Sequence, residues 1–381
     1  MKNFVKLSFY DQLGLNLGQD LNLIQVILGP RQVGKTTTVK HFLENEYSGR
    51  YLFKSADAIL TPDFNWLNET WQEARKGHDL IVIDEIQKIE NWSEIIKKLW
   101  DEERGRESKL RCVLLGSSSL EIQKGLSESL TGRFQLIRAH HWSLSESKEL
   151  AGFNLEKYLK FGGYPATYYF SNEPDKFVEY LQTSIISTVI DKDILSNHKV
   201  KSPALFRQAF ELINSYPAQE ISYTKLLGQL QDKGNTDLVK YYLSLYEGAF
   251  LVKSLFKYSS KPLKRRTSSP KLLPLCPSFY YLTIQDDYSE DERGRAFELA
   301  VGTALTRLPI EIFYWRDGNL EVDYVVKKGK RLVAIEVKSG RRKNEKGLKA
   351  FCERHPEARP IFITPENFND FESKGMDFLF G

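Results

Sequence analysis

The segment Gly29–Thr36, GPRQVGKT, constrains the fold of this chain more than any other. It follows the dense apolar run LNLIQVILG and precedes TTTVKHFLENE, in which Val39, Phe42 and Leu43 share one helical face. That order predicts a strand, a glycine-bounded loop and a helix. The loop matches the pattern GxxxxGK[ST], and phosphate chemistry explains each residue type. Glycines let backbone N–H groups approach phosphate, and a lysine reaches the β/γ-phosphates. The hydroxyl ligates Mg²⁺, and the helix N-terminus favours the anion. Gly29, Pro30, Arg31, Gln32, Val33, Gly34, Lys35, Thr36 and Thr37 are therefore the candidate nucleotide-binding residues. Lys35 is also a catalytic candidate, and Thr36 a metal ligand.

A second short strand, LIVIDE, ends in Asp84 and Glu85. Beside a phosphate loop, Asp84 would hold Mg²⁺, directly or through water, and Glu85 would activate the attacking water. Adjacent carboxylates suit hydrolysis better than transfer to a large acceptor, which counts against a small-molecule kinase. NWSEIIKKLWDEE follows as a helix with Trp92, Ile95, Ile96, Leu99 and Trp100 in one stripe. RCVLLGSSS is a third strand, which puts Ser117 and Ser118 where a hydroxyl senses γ-phosphate or caps a helix. Arg133 in SLTGRF is either a surface charge or a finger for the γ-phosphate of this or a neighbouring subunit, which would imply a homo-oligomer. Strand–helix alternation predicts a parallel sheet covered by helices, with ligand at the carboxyl ends of the strands.

With 381 residues, 41% hydrophobic and 27% charged, the chain is expected to form two or three globular domains. No apolar run approaches the roughly 18 residues of a membrane span. The N-terminus has no apolar signal region, and Cys112, Cys276 and Cys352 form no CxxC pair, so a cytoplasmic protein without membrane contact is expected. The histidines show no zinc-ligand spacing. The net charge of +4 is unevenly spread: residues 251–350 hold 21 Lys or Arg against 12 Asp or Glu. A basic third on a mildly acidic body suggests one region that meets phosphates.

From about 145 to 250 the pattern turns helical, interrupted by FGGYPATYY. Three helices over SPALFRQAFELINSY, SYTKLLGQLQ and NTDLVKYYLSLYEG, followed by a hairpin around KPLKRRTSSPK, predict a winged helix-turn-helix. Lys257, Lys261, Lys264, Arg265 and Arg266 are the candidate phosphate contacts, with the helix from Thr236 to Tyr246 entering a groove of DNA. Tyr241 and Tyr242 fit a core better than a stacking platform. Farther on, Glu298 lies in RGRAFE, Asp323 in LEVDYVV, and Glu336 and Lys338 in AIEVKS. In a strand Glu336 and Lys338 share a face, and Asp323 on a neighbouring strand converges with Glu336 to hold a divalent cation.

Together GPRQVGKTTTV, LIVIDEIQKIENW, LLGSSSL, SLTGRF and FGGYP resemble the prokaryotic AAA-type ATP-binding proteins joined to a C-terminal domain of unknown function, over roughly residues 20 to 375. The resemblance implies Walker A at Gly29–Thr36, Walker B at Asp84 and Glu85, sensor 1 at Ser117 or Ser118, and the family's Gly-Arg position at Arg133. Glu298, Asp323, Glu336 and Lys338 resemble the PD-(D/E)XK nucleases, the type of that C-terminal domain. LLPLCPSFYY departs from the family, which usually has a strand ending in aspartate there. The implied fold class is α/β. It comprises a P-loop ATPase core (1–145), a helical lid or connector (146–200), a winged helix-turn-helix (201–283) and a restriction-endonuclease-like α/β domain (284–381). The expected function is an ATP- and Mg²⁺-dependent hydrolytic switch coupled to a DNA-directed output, with a metal-dependent nuclease and a second divalent cation at the C-terminal site. The alternative is a nucleotide-dependent sensor or scaffold with an inactive C-terminal domain and protein partners.

Overall fold

A computed structural model describes residues 4–104, 110–117, 119–230, 235–259, 268–340 and 345–381. The chain separates into two units, 1–140 and 141–381.

Unit 1 begins with helix α1 (Tyr10–Gly18) and alternates thereafter. Its elements are β1 (Ile24–Leu28), α2 (Lys35–Asn45), β2 (Tyr51–Ser55), α3 (Phe64–Arg75), β3 (Leu80–Asp84), α4 (Trp92–Arg104), β4 (Arg111–Gly116), α5 (Ser119–Ser129) and β5 (Phe134–Arg138). The strands form one parallel sheet in the order β2-β3-β4-β1-β5. Every residue of β1 and β3 is buried, as expected of strands covered on both faces, which is why both are apolar except for Gln25 and the terminal Asp84. The stripe on α4 is also buried: Trp92, Ile95, Ile96, Leu99 and Trp100 are all at most 7% exposed. Each such side chain contributes roughly 1.5–3 kcal/mol of burial free energy. The chain leaves β1 for β2 at the far edge, past β3 and β4, so the loop after β1 opens at a point where the strand order reverses.

Unit 2 opens with helices α6 (Leu144–Ala151), α7 (Leu155–Phe161) and α8 (Pro174–Tyr180), then π-helical turns over Leu181–Ile186 and Val189–Leu195. Next come α9 (Pro203–Asn214), β6 (Gln219–Glu220), α10 (Tyr223–Gln229), α11 (Thr236–Gly248), β7 (Val252–Lys257), β8 (Lys271–Pro274) and α12 (Pro277–Ile284). The last part holds α13 (Glu290–Leu305), β9 (Glu311–Asp317), β10 (Leu320–Lys328), β11 (Arg331–Val337), α14 (Lys346–Arg354), β12 (Ala358–Ile363), α15 (Phe368–Lys374) and α16 (Met376–Phe380).

Its strands make a single mixed sheet, β12-β11-β10-β9-β7-β8-β6. The β7–β8 hairpin, antiparallel as the sequence suggests, continues into the C-terminal strands because β7 pairs in parallel with β9. The turns of β9–β10 and β10–β11 contain Gly318 and Gly329 at φ 58° and 59°, a left-handed conformation that glycine adopts at little cost. The start of unit 2 is tied to its end. The carboxylate of Glu372 in α15 accepts the N–H groups of Leu144 (3.0 Å) and Ser145 (2.9 Å) and pairs with Arg307 (3.4 Å). Among the described residues no helix is long and apolar enough to cross a membrane.

Candidate functional site

The loop after β1 owes its shape to two glycines and one glutamine. Gly34 is the N-cap of α2 with φ 96°, and Gln32 has φ 57°. Left-handed residues alternating with ordinary ones turn successive N–H groups toward one concavity, which suits an anion. Because the cap residue is glycine, no side-chain oxygen competes for the first N–H groups of α2. Gly29 serves a different need: a Cβ there would lie 2.4 Å from the carbonyl oxygen of Ala139, just past β5. The Lys35 ammonium reaches across the loop, donating to the carbonyls of Gly29 (2.9 Å) and Pro30 (2.6 Å).

The parallel register brings the end of β3 to this loop. The Thr36 hydroxyl donates to Asp84 Oδ2 at 2.8 Å, and the N–H of Glu85 donates to Asp84 Oδ1 at 3.0 Å. Asp84 is buried, and that burial raises its carboxyl above the usual range, helped by the Glu85 charge and opposed by the Thr36 hydrogen bond. A hydroxyl and a carboxylate in contact at the helix N-terminus are hard oxygen donors of the kind Mg²⁺ takes. Glu85 has φ 53°, an uncommon conformation for a non-glycine residue. Just past β4, Ser117 Oγ donates to Glu85 Oε2 at 3.0 Å. Gln87 Nε2 donates to the same oxygen and also to Ser117 Oγ (3.3 Å). Gln87 Oε1 is buried with no hydrogen-bond partner. The sequence reading missed Gln87; its only local sign is a polar side chain two residues past Glu85, in a tight turn.

Arg133 lies elsewhere. It precedes β5, and its carbonyl accepts the N–H of Ile24, at the amino end of β1. Four strand steps of about 3.3 Å put it some 13 Å from the loop at the other end of β1. Its guanidinium makes a two-point contact with Asp101, at 2.9 and 3.0 Å. The arginine that β5 does bring beside the loop is Arg138, exposed and paired in register with Leu28. Ser118 lies outside the described residues.

In unit 2 the Asp323 charge acts on both Glu298 and Glu336, and Lys338 pairs with Glu336. Val322 pairs with Trp315 but Val325 with Phe313, so β10 carries an extra residue around Asp323 and Tyr324. Such a bulge re-aims a side chain. Asp323 Oδ2 accepts the N–H of Val337 on β11 at 2.7 Å, and Lys338 Nζ donates to Glu336 Oε1 at 2.6 Å. Glu336 is 7% exposed, and its Oε2 is buried with no hydrogen-bond partner. Burial first, then the Asp323 charge, push its carboxyl up to about 7. Glu298, on α13, is likewise pushed up to about 7 by the packing around it, with Lys271 opposing.

Lys271 is the residue missing from the sequence reading, which counted it with the basic hairpin. It is fully buried at the start of β8, with Nζ 2.6 Å from Glu298 Oε1 and 3.7 Å from Glu321 Oε1. Its place at the head of the apolar segment LLPL was the available signal. Of the candidate phosphate contacts, Lys257 ends β7, a strand internal to the sheet, and is half-buried. Lys261, Lys264, Arg265 and Arg266 lie outside the described residues. Tyr242 is buried, as expected; Tyr241 is 38% exposed.

Comparison with known proteins finds three family models along the chain. Residues 21–148 match the family model of an AAA domain, while 152–277 and 293–379 match two domains of unknown function, DUF8612 and DUF4143. An uncharacterized protein of Methanocaldococcus jannaschii is 23% identical over 358 residues, covering 87% of this chain and 78% of that one. One of Mycobacterium tuberculosis is 27% identical over 329 residues, covering 83% and 70%. Among solved structures, the Thermotoga maritima RuvB Holliday junction branch migration motor aligns over 65% of this chain and 87% of that one, at 16% identity. Its TM-score is 0.35. The chain thus carries an AAA domain over residues 21–148, and that domain contains both the phosphate-loop sequence and the Asp84–Glu85 strand end.

Proposed function

We propose that this AAA domain binds ATP with Mg²⁺ and hydrolyses it, and that residues 141–381 form a DNA-directed output module. The contact of Thr36 with Asp84 beside the loop, one residue before Glu85, carries this reading. Gly29–Thr37 would cradle the phosphates, with Lys35 exchanging its own loop's carbonyls for phosphate oxygens. Mg²⁺ at Thr36 and Asp84 would supply charge neutralisation of the β/γ-phosphates. Glu85 would take the proton of the attacking water once its carboxylate leaves Ser117 and Gln87, and Ser117 would then be free to orient that water. Arg133, at the amino ends of the strands, would reach a γ-phosphate only in a neighbouring subunit.

For the output module, α9 to α11 with the β7–β8 hairpin support a winged-helix reading, whose basic loop would track DNA phosphates. The bulge at Asp323 beside Glu336 and Lys338 supports a nuclease-like site with a divalent ion between the two carboxylates. The test reads phosphate release and plasmid integrity together, with ATP and Mg²⁺. Release should vanish with Lys35→Ala; nicking should vanish with Asp323→Ala and with Lys338→Ala. Nicking that survives both substitutions contradicts the nuclease reading. A second reading, a nucleotide-dependent sensor or scaffold with an inactive C-terminal domain and protein partners, is favoured by one observation: the ammonium of Lys271 inside the carboxylate cluster. Phosphate release without nicking is its expected outcome.

A further inference from the structure

We infer that the Lys271 ammonium is the resident cation of the Glu298–Glu321 half of the carboxylate cluster, so that this half takes no metal and the cluster holds at most one divalent ion. The surroundings of Nζ are those of a bound cation. Glu298 Oε1 lies at 2.6 Å, the backbone carbonyl of Asp323 at 3.1 Å, Glu321 Oε1 at 3.7 Å, and the ring centre of Tyr324 at 4.9 Å. Carboxylates and a main-chain carbonyl are the donors a hard divalent ion would use, and the aromatic face completes a cation's shell. Lys271 is fully enclosed, and its backbone is paired on both sides, to β7 and to β6. To admit an ion there, its ammonium would have to leave the two carboxylates that it faces.

The other half differs in kind. Glu336 Oε2 is buried and unpartnered beside Asp323, and Lys338 occupies only Oε1. Among the described residues no three His, Cys, Asp or Glu side chains are grouped to hold a metal, as expected if the cluster is two separate pairs. With Glu298, Glu321, Asp323 and Glu336 ionised, Lys271 and Lys338 leave two negative charges, which one divalent ion neutralises. The single ion at Asp323 and Glu336 rests on the nuclease-like reading above; the assignment of Lys271 does not.

The test uses the full chain with Asp84→Asn, free of nucleotide, titrated with MnCl₂. Bound ions are counted from the loss of the free Mn²⁺ electron paramagnetic resonance signal. The parent should bind one ion, Glu336→Gln none, and Glu298→Gln one, with affinity changed by no more than about 2-fold. Lys271→Met should bind two. A parent that binds two ions, a Lys271→Met protein that folds yet still binds one, or a loss of about 10-fold or more with Glu298→Gln overturns the assignment. If Lys271→Met does not fold, Glu298→Gln decides by itself. No ion in the parent but one in Lys271→Met would overturn the Asp323–Glu336 reading and leave Lys271 in place; none in either overturns both.

Discussion

Gly29 and Gly34 bound the phosphate loop for different physical reasons, so the same substitution should act differently at each. At Gly34 an added Cβ has room: its nearest neighbour is Leu7 Cδ1 at 3.7 Å. The cost there is backbone strain, since φ is 96°, and amounts to about 1–2 kcal/mol for alanine. Asparagine tolerates left-handed backbone better, so Gly34→Asn should cost less. At Gly29 the added Cβ lies 2.4 Å from the Ala139 carbonyl oxygen. That oxygen belongs to backbone held in the sheet, because the N–H of Ala139 donates to Leu28 at 2.8 Å. Relieving the overlap means separating β1 from the end of β5, at about 3 kcal/mol or more. Urea unfolding followed by the tryptophans of unit 1 should therefore rank the losses Gly29→Ala, Gly34→Ala, Gly34→Asn, from largest to smallest. Affinity for a fluorescent ATP analogue should fall in the same order. A Gly29→Ala protein as stable as Gly34→Asn would refute this account of the loop.

Other substitutions test other parts of the structure. Glu372→Ala removes two N–H acceptors from the start of α6 and leaves the largely buried Arg307 without its carboxylate, so urea unfolding should show a loss of about 3–5 kcal/mol. Arg133→Ala removes an exposed pair with Asp101 and should leave the urea midpoint nearly unchanged. In dilute, unassembled protein it should leave phosphate release per chain unchanged; a loss there contradicts a position far from the loop. In EDTA, Glu336 holds its proton more tightly folded than unfolded, since its carboxyl is pushed from 4.5 to about 7. Its contribution is therefore lost as pH rises through that window, and Glu336→Gln should gain stability relative to wild type between those limits. An unchanged difference in denaturation midpoint across the window would contradict the burial of that carboxyl. Replacing Lys264, Arg265 and Arg266 with Ala should flatten the salt dependence of log DNA affinity by up to about two to three. An unchanged slope means the hairpin does not touch DNA.

What the sequence made legible was local. Strand, loop and helix around Lys35 follow from adjacent apolar runs, and Asp84 reaches Thr36 because the end of β3 and the start of α2 lie at the same, carboxyl edge of one parallel sheet. The Glu336–Lys338 contact follows from the two-residue period of a strand. What stayed hidden depends on long-range register. Arg133 is close in sequence to β5 but sits at its amino end, and only the β1–β5 pairing reveals which end that is. Lys271 looks like the last of a basic run until β8 is seen paired between β7 and β6. The parallel pairing of β7 with β9, which merges the hairpin with the C-terminal strands, joins residues more than 50 positions apart and leaves no local trace.

On the function proposed above, the AAA domain turns over ATP through Glu85. The decisive measurement compares wild type and Glu85→Gln for nucleotide binding and phosphate release, with ATP and Mg²⁺. Glutamine keeps the side chain's size and its place beside Ser117 but cannot accept the proton. ATP should still bind, while release falls by about 10²-fold or more. Phosphate release by Glu85→Gln at the wild-type rate would mean that Glu85 is not the base.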